Sequence, residues 1–151
     1  FTPSSTIFKV GNDHKLNAST EDYVAYCWHD VDGFQKFGAH KGNGNANGPF
    51  IYTGFRPRMI MIKRTDGSHY WYCIDSARPD STGTFSGVNP ITSLLNWDGD
   101  IGASTHGFSN NIHFLGNGFK MRTSGGSLNG TGDFIYAAWG DVPFKYNNTL
   151  P

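Results

Sequence analysis

Few residues in this 151-residue chain have the types and spacing that chemistry requires. Trp97 is one: it stands between an apolar run and a polar loop, beside Asp98 and Asp100, with His106 nearby. An exposed indole face stacks on sugar rings, while Asp, Asn and His bond hydroxyls. Trp97, Asp98, Asp100 and His106 are therefore the candidate ligand-binding set, and a Trp97 that merely plugs the end of the fold is the competing reading. Two acidic clusters, Asp30 to Gly33 and Asn96 to Asp100, place oxygen ligands together. Calcium would need further oxygens to bind there, and Asx turns explain Asp-Gly pairs equally well, so both readings stand.

Catalytic patterns are missing. The sequence has no GxSxG, no HExxH and no GxxxxGK[ST]. Its six histidines are scattered at 14, 29, 40, 69, 106 and 113. A glycosidase needs two facing carboxylates. Glu21 is the single glutamate, and the many aspartates neither single out a pair nor exclude one. No enzyme is expected, and no resident cofactor apart from the calcium alternative. Cys27 and Cys73 lack the spacing of a zinc site and read as two buried small hydrophobes, with a disulfide as the alternative. Sequons at Asn17, Asn129 and Asn147 are about what such a composition yields by chance.

The scaffold follows from composition. Gly, Asn, Ser and Thr make up more than a third of the chain, and Glu and Gln occur once each. Helix formers are scarce while turn formers and aromatics abound, so a helical protein is excluded and an all-β one expected. Zero net charge speaks against nucleic-acid binding and against a polybasic membrane contact. No apolar run is long enough to span a bilayer as a helix, and no leader pattern opens the sequence.

Alternation and turn signals predict strands over 49–55, 58–64, 69–75, 91–97 and 133–139, with a hairpin over 111–123 turning at Gly116-Asn117-Gly118. Asp66-Gly67 marks a turn between the second and third. Tyr70 and Tyr72 should face one way and Trp71 the other. The stretches 76–90 and 97–110 read as long loops, and Lys41 to Pro49 as an exposed Gly-Asn turn. Seven or eight strands in this length suit an antiparallel β-sandwich, jelly-roll or lectin-like.

An internal repeat organises the chain. "LNASTEDYVAYCWHDV" (16–31) returns as "LNGTGDFIYAAWGDV" (128–142), with Trp28, Asp30 and Val31 matching Trp139, Asp141 and Val142 at a separation of 111. Residues 1–34 then read as closing strands of a preceding unit, and 35–151 as one complete repeat of a tandem array. Trp28 and Trp139 are expected to close equivalent cores.

Residues 23–78, with "GPFIYTGFRP" and "FLGNGFK…IYAAWGDVPFKY", resemble an uncharacterised domain found in tandem in tail-fibre-like and other virion-associated proteins of marine phages, cyanophages included. The resemblance implies a β-sandwich module on the surface of a virion, packed against other virion subunits, plausibly as a homo-oligomer such as a trimer. It also implies a part in host attachment, and a host surface glycan is then the expected ligand. The middle of the chain, 79–109, shows no such likeness. A purely architectural spacer or capsid-decorating module is the alternative, and a polysaccharide depolymerase a third.

Overall fold

The computed structural model describes residues 4, 6–78, 89–99 and 112–140. Eight strands and a single helical turn follow in order: β1 (Gln35–Lys41), β2 (Phe50–Tyr52), β3 (Pro57–Arg64), β4 (Tyr72–Asp75), β5 (Leu95–Asn96), β6 (Ile112–Leu115), β7 (Gly118–Met121), α1 (Gly126–Asn129) and β8 (Asp133–Gly140). They form two antiparallel sheets, ordered β1-β8-β3-β4-β5 and β2-β7-β6. The protein is an all-β sandwich.

Alternation decides what each strand buries. In β3, Ile60 and Ile62 point inward and are fully buried, while Met59, Met61 and Lys63 point outward. In β8, Phe134, Tyr136 and Ala138 point inward, with Ile135, Ala137 and Trp139 on the outer face. Ile51, Ile112, Phe114, Phe119 and Met121 of the smaller sheet complete the core. Gly38 of β1 is required by its partner: a Cβ there would lie 2.7 Å from the Tyr136 hydroxyl oxygen. Asn89 extends the smaller sheet with its side chain, accepting the Phe114 N–H (2.7 Å) and donating to the Phe114 carbonyl (2.8 Å).

The Gly-Asn stretch 41–49 is the exposed turn expected, and it is also fastened to the body. Buried Asn129 donates to Asn43 Oδ1 (3.0 Å), the Asn45 carbonyl (2.8 Å) and the Thr123 carbonyl (2.8 Å), and accepts the Asn43 N–H (3.2 Å). That side chain is fully engaged, so the sequon at Asn129 is a structural asparagine. Several expectations need correction. The strand expected over 91–97 shrinks to β5, although Ile91 bridges Ile112. Tyr70 and Tyr72 do not share a face: β4 starts at Tyr72, which is buried, and Tyr70 precedes it exposed.

The amino-terminal segment stands apart from the sheets. Residues 6–30 hold no strand, and only Val31 makes a bridge, with Gln35. The cause is local. Asp30 Oδ1 accepts the Phe37 N–H (2.8 Å), and Gln35 Nε2 donates to the His29 carbonyl (2.6 Å). Those two side chains take up the groups a further ladder rung would use. Trp28 is accordingly 60% exposed instead of closing a core, and Trp139 lies half-buried on the outer face. Both nevertheless pack on one ring, Phe37, at centroid distances of 6.5 and 5.9 Å.

Candidate functional site

The candidate site forms where β3, β4 and β5 end. The 65–71 turn brings Ser68, His69 and Tyr70 to one rim, and the chain leaving β5 brings Trp97 and Asp98 to the other. Two backbone bonds clasp them around Trp71: the Trp97 N–H donates to the Trp71 carbonyl (2.9 Å), and the Trp71 N–H donates to Asp98 Oδ1 (2.8 Å). His69 Nδ1 lies 3.1 Å from Ser127 Oγ, and Lys63 Nζ donates to the His69 carbonyl. Gly99 lets the loop lie against Tyr70, whose ring a Cβ would approach to 3.2 Å. The result is a cleft of about 330 Å³ lined by Ser68, His69, Tyr70 and Asp98.

Trp97 is 60% exposed and Tyr70 42%, so Trp97 is not an end plug. The structure brings together Trp97 and Asp98 of the sequence-derived set. Asp100 and His106 lie outside the described residues. Ser68, His69 and Tyr70 were not anticipated as site residues; the turn signal at Asp66-Gly67 beside an aromatic row was the available clue. Asp98 also has a structural duty, holding the Trp71 amide, so it positions the rim as well as facing the cleft. The Tyr70 ring beside hydroxyl, imidazole and carboxylate groups suits a polar ligand with one apolar side, and exposed Trp97 adjoins the lining residue Asp98 in the chain.

Of the acidic cluster at 30–33, Asp30 is engaged within the chain. Asp30 Oδ2 pairs with Lys36 Nζ while Oδ1 holds the Phe37 amide. The Lys36 bond, then the Phe37 amide, holds its carboxyl below the usual range. Among the described residues no three His, Cys, Asp or Glu side chains gather as a metal site. Cys27 is exposed and Cys73 buried, both free thiols, so the expectation of two buried cysteines fails for Cys27 and the disulfide is not formed. Burial raises the Cys73 thiol pKa.

A second surface went unanticipated. Across the outer face of the larger sheet, Phe37, Ala137, Met61, Cys73 and Leu95 stand in one cross-strand row. Around it lies an apolar groove of about 340 Å³, lined by Trp28, Phe37, Met61, Trp71, Ile135 and Trp139. Tyr26 stacks on Trp28 at 6.1 Å. The available signal was that β3 and β8 are apolar at both parities, which marks a strand covered on two faces.

One family model runs along residues 1–143, through both copies of the repeated segment. The chain belongs to the DUF7483 family, described as a domain of unknown function. No curated protein and no solved structure matches it. In this DUF7483 chain the two surfaces adjoin through Trp71, whose backbone holds the cleft rim and whose ring lines the groove.

Proposed function

We propose that this DUF7483 chain is a structural and recognition module of a phage virion appendage, a tail fibre or similar, that meets a bacterial surface glycan at the Trp97–Tyr70 cleft. The observation that carries the reading is a polar cleft lined by the exposed Tyr70 ring and by Asp98, with exposed Trp97 next to Asp98 in the chain and its backbone bonded to Trp71 at the sheet end. Zero net charge suits hydrogen-bonded sugar contact better than salt-steered binding. The repeated segment and the resemblance to tandem virion modules supply the setting, the particle surface. Repetition along a fibre, or a trimer of fibres, would multiply a weak single-site affinity. The module binds and does not cleave.

The test is binding of the chain to bacterial surface polysaccharides and to whole cells, for the natural sequence and for Trp97→Ala and Tyr70→Ala. Each substitution is expected to weaken binding about tenfold or more, the value of one lost aromatic stacking contact. Unchanged binding in both variants rejects the cleft. The apolar groove favours a second reading, a purely architectural module that packs only on other virion subunits. A blank glycan and cell panel, together with failed particle assembly when the module is deleted, selects that reading.

A further inference from the structure

Residues 22–28 carry the sequence of a central strand without the structure of one. At the separation of 111 that joins Trp28 to Trp139, Asp22 falls on Asp133, Tyr23 on Phe134, Val24 on Ile135 and Cys27 on Ala138. Asp133–Gly140 is β8, bonded on one side to β1 and on the other to β3. Its alternation, carried over, turns Tyr23, Ala25 and Cys27 toward a core and Val24, Tyr26 and Trp28 toward an outer face. In this chain the segment joins no ladder, and Val24 is 78% and Tyr26 75% exposed. A β-branched and aromatic run at that exposure is a strand lacking its sheet. Asp30 and Gln35 close the edge of β1 against it.

We propose that residues 22–28 are a donor strand: in a second module of this fold they fill the slot between that module's β1 and β3, the slot β8 fills here. The receiving module lies earlier in the same polypeptide, because in a neighbouring copy of this chain β8 already fills the slot. The proposal rests on the modular half of the function proposed above and not on glycan contact, so a blank glycan panel leaves it standing. Two details of shape follow. Ala25 stands where Tyr136 stands, and Tyr136 is what forces Gly38 to lack a side chain. The receiving module therefore carries a bulkier residue at its Gly38 position. Gly140 is hemmed in by Phe55 (3.1 Å) and the Phe34 carbonyl (3.3 Å). His29 at that place does not fit, so the donated strand ends at Trp28.

Amide hydrogen exchange tests this on two samples, the 151-residue chain and the full natural polypeptide. Residues 23–28 should exchange within seconds in the dilute chain, while 134–139 are protected by orders of magnitude. In the full polypeptide 23–28 should be protected comparably to 134–139 at every concentration, which assigns the slot to an upstream module. Protection of 23–28 that grows with concentration in the 151-residue chain overturns the proposal, because the slot of a neighbouring copy is already filled by its β8. Fast exchange of 23–28 in both samples at all concentrations overturns the proposal. So does protection in the dilute chain alone, which makes the segment a strap on its own module. Val24→Pro gives an independent readout, since proline removes a ladder donor from a central strand. It should leave the melting temperature of the chain within about 1 °C and lower a transition of the protected sample by several degrees. A several-degree loss in the dilute chain, or no shift in the protected sample, overturns the proposal.

Discussion

Replacing His40 with phenylalanine should remove most of the protein's sensitivity to mild acid. His40 lies on the core side of β1, its ring stacked on Phe134 at 5.2 Å and facing Tyr136 (6.2 Å) and Phe119 (6.4 Å). Both ring nitrogens are buried with no hydrogen-bond partner among the described residues. Burial pushes the imidazole pKa from 6.5 down to about 4. The unfolded chain therefore takes up a proton near pH 6.5 that the folded protein refuses until about pH 4. Stability from this group is full above the unfolded value and falls as pH drops through the interval between the two. At about 1.4 kcal/mol per pH unit, the loss from pH 7 to pH 5 is about 2 kcal/mol. That is a ceiling, because the ring keeps some solvent access that screens the charge. Asp30 and Asp66, whose pKa values are lowered chiefly by hydrogen bonds from Lys36 and Arg64, lose their contribution only at lower pH. His113 is lowered by burial and by Arg122 and Lys120, with the same sign, but it is present in both proteins and cancels. Urea unfolding at pH 7 and pH 5, for the natural chain and His40→Phe, measures the difference. Equal losses in the two proteins would refute the buried-imidazole account.

Asn129→Ala should cost about 3 kcal/mol in denaturant unfolding, because it strips four hydrogen bonds and leaves the buried Thr123 carbonyl without its donor. A loss under 1 kcal/mol would mean that the Gly-Asn loop is not fastened there. Gly42→Ala should lower the melting temperature severely, since a Cβ at that position collides with the Gly130 carbonyl oxygen. Gly116→Ala meets nothing within 4 Å and should stay within about 0.5 kcal/mol of the natural chain. Thermal melts of the two variants together decide whether backbone closeness, and not glycine as such, sets the requirement.

The core was legible because it rests on period-two alternation. Ile60, Ile62, Phe134 and Tyr136 fall at inward positions of runs that read as strands from the sequence. The Gly116-Asn117 turn was legible for the same reason, a turn signal between two alternating runs. What alternation cannot report is whether a strand has neighbours. Tyr23 to Trp28 and Phe134 to Trp139 have nearly one pattern, yet only the second finds β1 and β3 beside it. Strand structure there is a property of the partners, not of the run. The Gly-Asn stretch reads as an exposed turn and is one, but its anchoring by a side chain 86 residues downstream, Asn129, is order that composition cannot carry. Of the residues that form the cleft, Asp98 was singled out from sequence because it follows a large aromatic at the edge of an apolar run. Ser68, His69 and Tyr70 reach the cleft only through the antiparallel pairing of β3, β4 and β5.

Trp71 decides whether the cleft and the groove act as two sites or one. Its backbone holds Trp97 and Asp98 in place, while its ring lines the groove with Lys63 Nζ 6.0 Å above it. Trp71→Ala deletes the ring and keeps both backbone bonds. Asp98→Ala keeps the ring and deletes one bond, and Asp98→Asn restores an oxygen acceptor for the Trp71 amide. If the surfaces are independent, Trp71→Ala weakens packing in the groove and changes glycan affinity by less than about threefold, because the rim geometry survives. Asp98→Ala then weakens glycan binding about tenfold, the order of one lost hydrogen bond, and Asp98→Asn recovers part of it. Titration calorimetry with the bound polysaccharide, beside an oligomerisation assay on the same variants, separates the cases. A parallel loss of both proposed activities in Trp71→Ala would make the sheet end a single coupled surface, with occupancy of the groove felt at the cleft rim through Trp71.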